Sequence, residues 1–295
     1  MKKFLLNLIN RKNNSSNVNL DFKNLKNRPE IKKIFKIFSY NVNNCQIRFV
    51  GGCVRKVLKK EKINDIDLAI DINPEEVKSI LKNNNIKFLE TGIEHGTVTA
   101  ILNGYKFEIT SLRKDIKNYG RHAEVEFTKN WHEDAGRRDF TFNCIYSDLD
   151  GNLYDPFNGR NDLITGKIKF IGDPEDRIRE DYLRVLRYLR FFLDYSDQPH
   201  EISVKKKILK NISGIDKISK ERLIDELKKI FKSKNIYKIN DDKFMLEILN
   251  LIFPELKNIY LLAKLNDLAL EILKSKDFVF WLIIMVVDLT DNAEY

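Results

Sequence analysis

The chain is short of the residues that staple or ligate compact folds, with 3 cysteines and 4 histidines among its 295 residues. Cys45, Cys53 and Cys144 are too few and too unevenly spaced to frame disulfides. Together with His95, His122, His132 and His200 they form no zinc-ligand pair. Reduced thiols and a cytoplasmic location are the expectation. A long hydrophobic run is also missing. The most apolar stretch, FVFWLIIMVVD at 278–288, is too short to span a hydrocarbon core of ~30 Å and is expected to be a buried helix, so no membrane partner is implied. The opening MKKFLLNLINRKNNSS has no small-residue cleavage site and reads as a tail or first helix, not as a secretory signal.

What is present points to a folded protein with a polyanionic partner. Hydrophobic residues make up 43% of the chain, and 52 basic residues against 43 acidic ones give a net charge of +9. Near residue 165 the texture changes. Before it, short β-branched and aromatic runs at 46–50, 66–70, 86–89, 97–102 and 106–111 read as strands, with a Pro-initiated helix at 74–82 and an Asn103-Gly104 hairpin turn. After it the hydrophobic period shifts toward 3.6, and helices are expected at 176–195, 201–209, 220–231 and 241–251. The predicted class is α+β: a mixed sheet with helices, followed by an all-helical region.

The densest chemistry lies in FVGGCVRKVLKKEKINDIDLAID at 49–71. Gly51 and Gly52 allow backbone N–H groups to approach a phosphate closely, and Arg55 adds positive charge in the first turn of the following helix. Asp65 and Asp67 flank Ile66 in an apolar run, where strand alternation would turn both carboxylates the same way, as for one divalent metal. Two like charges in a strand need a cation to offset their burial. In KFEITSLR, Glu108 alternates with apolar neighbours on a predicted strand and would complete a three-carboxylate nest.

Two further clusters add to this. In DAGRRDFTFNCIY, Arg137 and Arg138 offer bidentate donors to phosphate or ribose oxygens, and Asp139 reads as the N-cap of an apolar helix at 140–146. In GDPEDRIREDYLRVLRYLRFF, an apolar stripe of Leu183, Leu186, Leu189 and Phe192 runs beside Asp181, Arg184, Arg187 and Arg190, which recur every three residues. Glu180 is an i,i+4 partner for Arg184, but three arginines in register exceed the local acids and call for an anion. Asp181 with Arg184 also suits base reading. A carboxylate accepts from an exocyclic amine and a guanidinium donates to the adjacent ring nitrogen, which fits cytosine and adenine and leaves uracil and guanine with like groups facing like.

These stretches, with EHGTVTAIL, GRHAEVEFT, YDPFNGRNDL and ISKERLIDELKKIF, resemble the class II CCA-adding tRNA nucleotidyltransferases of the tRNA nucleotidyltransferase/poly(A) polymerase family, in the polymerase beta-like superfamily. The resemblance runs from about residue 47 to about residue 231 and implies template-independent addition of CMP and AMP from CTP and ATP to the 3′ end of tRNA. It implies Mg²⁺ on Asp65 and Asp67 with Glu108 assisting, and triphosphate at Gly52 and Arg55. Arg138 and Asp139 would meet the sugar and phosphate side, Asp181 and Arg184 would read the base, and Arg187 and Arg190 would fall on remaining nucleotide positions. The implied domains are an N-terminal helical extension at 1–45, a nucleotidyltransferase head at 46–165, a neck at 166–235 and a helical body at 236–295. Two departures stand out: Lys56 replaces the family's usual acid, and Asn118-Tyr119-Gly120 replaces an Asp-Gly loop. A poly(A) polymerase, a partial C- or A-adding enzyme and a non-catalytic RNA-binding relative remain as alternatives.

Overall fold

The computed structural model describes residues 22, 25–41, 45–63, 65–90, 92–119, 122–233, 235–264 and 277–286. The opening segment expected as a tail or first helix lies outside them, as does Gly120 of the departing loop. The chain divides into two compact units, Met1–Ile164 and Thr165–Tyr295.

In the first unit, α1 (Pro29–Asn41) precedes β1 (Ile47–Val50), α2 (Gly52–Leu58), β2 (Ile66–Ile70), α3 (Pro74–Asn83), β3 (Lys87–Leu89), β4 (Thr97–Leu102) and β5 (Tyr105–Ser111). A separate two-stranded ribbon of β6 (Arg113–Tyr119) and β7 (His122–Phe127) follows, then α4 (Trp131–Gly136), β8 (Tyr146–Ser147), β9 (Leu153–Tyr154) and α5 (Gly159–Thr165). The main sheet has the order β3-β4-β5-β2-β1-β8-β9, with β2 and β5 parallel and the other pairs antiparallel. One face of the central strands carries Ile66, Leu68, Phe107 and Ile109, all buried. Alternation puts Asp67 and Glu108 on the opposite face, and the parallel register sets them directly side by side. Asn103 and Gly104 both take positive φ, 49° and 81°, which closes β4 onto β5 in the two-residue turn read from the sequence. Phe35 of α1 packs against Phe49 with ring centroids 4.9 Å apart and anchors the helix to β1.

The expected helix at 140–146 does not form. Thr141–Asn143 makes one 3-10 turn, and the chain then enters β8 against β1. Phe140, Phe142, Cys144, Ile145 and Tyr146 are all fully buried, so burial on every side overrides the local helical pattern. Asp139 accordingly caps no helix; its Oδ1 accepts from the adjacent Phe140 N–H.

The second unit is helical: α6 (Pro174–Glu180), α7 (Leu183–Tyr195), α8 (Ile202–Asn211), α9 (Lys220–Phe231), α10 (Lys243–Ile252) and α11 (Phe278–Val286). Asp173 caps α6 through the Glu175 and Asp176 N–H groups, with Pro174 at the first position. The helix expected to run unbroken over 176–195 is interrupted at Asp181, whose φ of −151° is extended. The Tyr182 ring lies against Gly214, where a methyl group would come within 1.9 Å of a ring carbon, so the break is locked by packing. Leu183, Leu186 and Leu189 are buried as expected, but Phe191 enters the core in place of Phe192, which stacks on His200 at a centroid distance of 3.5 Å. The expected buried helix at 278–288 is buried on one side only. Trp281 packs on Phe231 of α9 and Asn258 donates to the Ile284 and Met285 carbonyls, while Val279, Phe280, Ile283 and Val286 are exposed. Among the described residues no helix is long and apolar enough to cross a membrane.

Glu226 of α9 is 1% exposed and holds Arg190 of α7, with Lys229 at its other oxygen. Removing one member of a buried pair strands the other charge, at about 3 kcal/mol. Glu226→Ala should lower the urea unfolding midpoint accordingly; a midpoint equal to that of the unmutated chain would show that the pair contributes nothing.

Candidate active site

The first unit brings Gly51, Gly52, Arg55, Asp67, Glu108 and Arg138 close together, with Asp139 joined to Arg55 through Asn143. Asp67 and Glu108 are register partners on β2 and β5. Asp67 is half-buried, and its carboxyl is raised above the usual range, first by burial and then by Glu108 and, more weakly, Asp65; Arg138 and Arg55 pull the other way. Asp65 is exposed and precedes β2, outside the strand pairing. The expected closed nest of three carboxylates is therefore not formed: among the described residues no group of three His, Cys, Asp or Glu is placed to hold a metal ion. The physical reason is that the ladder fixes only Asp67 beside Glu108.

The glycine turn lies against these groups. Gly51, at φ 66°, takes the left-handed backbone that starts α2, and a methyl group there would stand 3.7 Å from Arg138 Nη1. A methyl group on Gly52 would stand 3.3 Å from Asp67 Oδ2 and 3.9 Å from Arg55 Nη2, so the absence of a side chain keeps this approach open. Lys56 follows in the same helix without displacing Arg55, which is 8% exposed and donates through Nη1 to Asn143 Oδ1.

Two residues that sequence reading passed over hold the cluster in place. Asp134, 1% exposed within α4, accepts from Arg137 Nη2 at 2.7 Å through Oδ1. Its Oδ2 accepts from Arg138 Nη2 at 3.1 Å and the Tyr146 hydroxyl at 2.6 Å. Burial alone would raise its pKa, but Arg138 and Arg137, with the Tyr146 hydrogen bond, outweigh that and hold the carboxyl well below the usual carboxylate range. Asn143 links Arg55 to Asp139, donating through Nδ2 to Asp139 Oδ1 at 2.8 Å.

In the second unit the arginine stripe is less electrostatically needy than its sequence suggests. Arg184 Nη1 donates to Glu180 Oε2 at 2.7 Å and to the Arg177 carbonyl at 2.8 Å, and Arg190 is held by Glu226. The Arg187 guanidinium lies 5.5 Å from the Phe191 ring centroid. Asp181, at the break between α6 and α7, accepts from the Leu183 N–H with Oδ1 and from Arg222 Nη2 of α9, at 2.8 Å, with Oδ2. The expected surplus of unbalanced arginines is thus corrected: Glu180 of α6 meets Arg184, and Glu226 of α9 holds Arg190 and also feels the charge of Arg187.

Residues 47–169 match the poly A polymerase head domain, and residues 201–260 match the probable RNA and SrmB-binding site of polymerase A. A zebrafish (Danio rerio) mitochondrial CCA tRNA nucleotidyltransferase 1 is 43% identical over 194 residues, which cover 65% of this chain and 45% of the relative. A CCA-adding enzyme of Lactobacillus delbrueckii subsp. bulgaricus is 39% identical over 189 residues, 63% of this chain and 46% of the relative. These matches place residues 47–169 with the head domain of the tRNA nucleotidyltransferase and poly(A) polymerase family. The solved CCA-adding enzyme of Bacillus stearothermophilus in complex with CTP is similar in fold, with a TM-score of 0.63 and 30% identity over 75% of this chain and 52% of that one. The chain spans less than half the length of the two curated relatives.

Nucleotidyltransferases of this family use divalent metals, and the donor set here suits one. Asp65, Asp67 and Glu108 offer only hard carboxylate oxygens, and the pair on β2 and β5 concentrates negative charge that a cation would relieve. An ion held by one or two carboxylates takes its remaining oxygens from phosphate and water, which fits a site short of three protein ligands.

The Asp134 carboxyl, ionised in the fold well below its unfolded pKa near 3.9, contributes stability that is complete above that value and is lost as pH falls toward the folded value. Asp134→Asn should cost about 3–5 kcal/mol at pH 7 by leaving two guanidiniums uncompensated. The gap from the unmutated chain should hold from pH 8 to pH 5 and narrow by about 1 kcal/mol at pH 3. Urea midpoints at these pH values test the sign, and a gap that widens in acid is the contrary result.

Proposed function

We propose that this chain adds CMP and AMP from CTP and ATP to the 3′ end of tRNA, as a CCA-adding nucleotidyltransferase. The observation that carries the reading is the meeting, at the Gly51–Gly52 turn, of the Asp67–Glu108 carboxylate pair with Arg55 and Arg138. Carboxylates beside a phosphate-accepting turn suit the in-line attack of a 3′-hydroxyl on an α-phosphorus, with pyrophosphate leaving. Asp65 and Asp67 would hold Mg²⁺, with Glu108 alongside; when bound, Mg²⁺ lowers the pKa of the primer hydroxyl and stabilises the departing pyrophosphate. Gly51, Gly52 and Arg55 receive the triphosphate, and Arg138 with Asp139 meets the sugar and phosphate side. Asp181 and Arg184 read the exocyclic amine and ring nitrogen shared in pattern by cytosine and adenine, while Arg187 and Arg190 line the remaining nucleotide positions.

The names of the animal and bacterial relatives, which specify CCA addition, support this choice over poly(A) synthesis within the same family. In domain terms, 46–165 is the nucleotidyltransferase head, 166–235 the neck that carries the base reader, 236–295 the helical body and 1–45 an N-terminal extension. Cys45, Cys53 and Cys144 are free thiols, which suits a reducing compartment such as the cytoplasm, although the zebrafish relative is named as mitochondrial.

The deciding experiment incubates the chain and Mg²⁺ with tRNA ending before CCA, after C and after CC, each with one labelled nucleotide. C, C and then A in order is the expected product; long A tails would assign a poly(A) polymerase, and no incorporation would leave an RNA-binding protein. Asp67→Asn adds a check from stability. A carboxyl whose pKa is raised by burial and like charge destabilises the fold when ionised, so the amide should raise the melting temperature of the metal-free chain by a few degrees while abolishing incorporation. An unchanged or lower melting temperature would contradict the electrostatic account of this site.

A further inference from the structure

Asn143 is 6% exposed and closes the 3-10 turn at Thr141–Asn143, between the Arg137–Asp139 loop and β8. Its amide faces two ions of opposite sign. Toward α2 it presents Oδ1 to Arg55 Nη1, and toward the preceding loop it presents Nδ2 to Asp139 Oδ1 at 2.8 Å. A guanidinium only donates and a carboxylate only accepts, so the amide has one satisfactory orientation, and among side chains of this size only an amide serves both. A carboxylate in its place would keep Arg55 and repel Asp139. An aliphatic side chain would leave both without this partner.

The direction of Arg55 matters because its other terminal nitrogen, Nη2, lies 3.9 Å from where a methyl group would stand on Gly52, beside Asp67 Oδ2. The Phe142 ring, 5.8 Å from the guanidinium carbon, backs the same group. The Asn143 backbone carbonyl stands 3.8 Å from the corresponding methyl position on Gly51, so the same residue borders the glycine turn with both main chain and side chain.

We propose that Asn143 is a positioning residue for nucleotide binding: its amide couples Asp139 to Arg55 and so fixes the guanidinium behind the Gly51–Gly52 turn, where the triphosphate is received. This rests on the reading of that turn as a nucleoside triphosphate site. The effect of Asn143 passes through Arg55, and its loss should weaken the handling of nucleotide more than the rate once nucleotide is saturating.

The test uses the full chain with Asn143→Asp and Asn143→Ala. CTP and ATP incorporation into the three tRNA substrates is measured in Mg²⁺, with equilibrium binding of CTP and ATP and the melting temperature taken alongside. Both variants should raise KM and the dissociation constant for either nucleotide by about tenfold or more, the range for losing a hydrogen bond to a charged group, with a smaller fall in kcat. Asn143→Asp, which keeps an acceptor for Arg55, separates the two halves of the link. If its KM matches that of the unmutated chain, coupling to Asp139 is immaterial and the proposal fails. A lowered melting temperature with unchanged KM and unchanged binding in both variants would mean that the residue serves only to hold the fold, and this too overturns it. Failure of the parent reading is seen separately, in an unmutated chain that neither binds nor incorporates CTP or ATP, and it would remove the proposal with it.

Discussion

Placing Asp67 against Glu108 is the constraint around which the first unit is arranged. In a parallel pair whose inward residues are Ile66, Leu68, Phe107 and Ile109, the ladder leaves no freedom to separate the two acids: moving either strand by one residue would turn its apolar set to the wrong face. The repulsion is therefore built in, and the neighbourhood answers it with guanidinium groups. Arg55 and Arg138 both lower the cost of ionising Asp67. Each in turn is held from behind, Arg138 by Asp134 and Arg55 by Asn143, so the acids at the front depend on buried polar groups one layer deeper.

That layering explains what was legible in the amino-acid sequence and what was not. Elements whose signal is local were readable: the two-residue turn at Asn103-Gly104, the Pro-started α3 and the strand around Ile66–Ile70. So was the gathering of Gly51, Gly52, Arg55 and Asp67, because strand, turn and helix are adjacent in the chain. Residues 140–146 misled because a run of apolar residues looks helical until its complete burial in the sheet is known. The break at Asp181 depends on Tyr182 meeting Gly214, a contact without any local cue. Asp134 did leave a trace, three and four residues before Arg137 and Arg138 on a helical spacing, and a search for i,i+3 and i,i+4 ion pairs would have found it. Arg222 left none, since it reaches Asp181 across 41 residues.

In the helical unit the same economy of charge takes another form. Asp181 is held by Arg222, Arg184 by Glu180 and Arg190 by Glu226, so polar groups proposed to read or line a nucleotide are already oriented before any ligand is present. Preorganised side chains lose less rotamer entropy on binding, and a fixed pattern of donors and acceptors rejects a mismatched partner more sharply than a mobile one. The cost is that a ligand must compete with an internal acid for the same guanidinium.

The turn at Asn103-Gly104 carries a last implication. Exposed hairpin tips are ordinarily where lineages add and remove residues without penalty, because nothing buried depends on them. Here the tip joins β4 to the strand that bears Glu108, and every position from Leu102–Tyr105 back to Thr97–Thr110 is paired. One extra residue keeps the register only if it is taken up in a longer loop closed by a left-handed residue or bulge; otherwise it unpairs β4 from β5 beside the acid. Loop length at the rim of the sheet thus bears on the register at its centre, through the strand that carries Glu108.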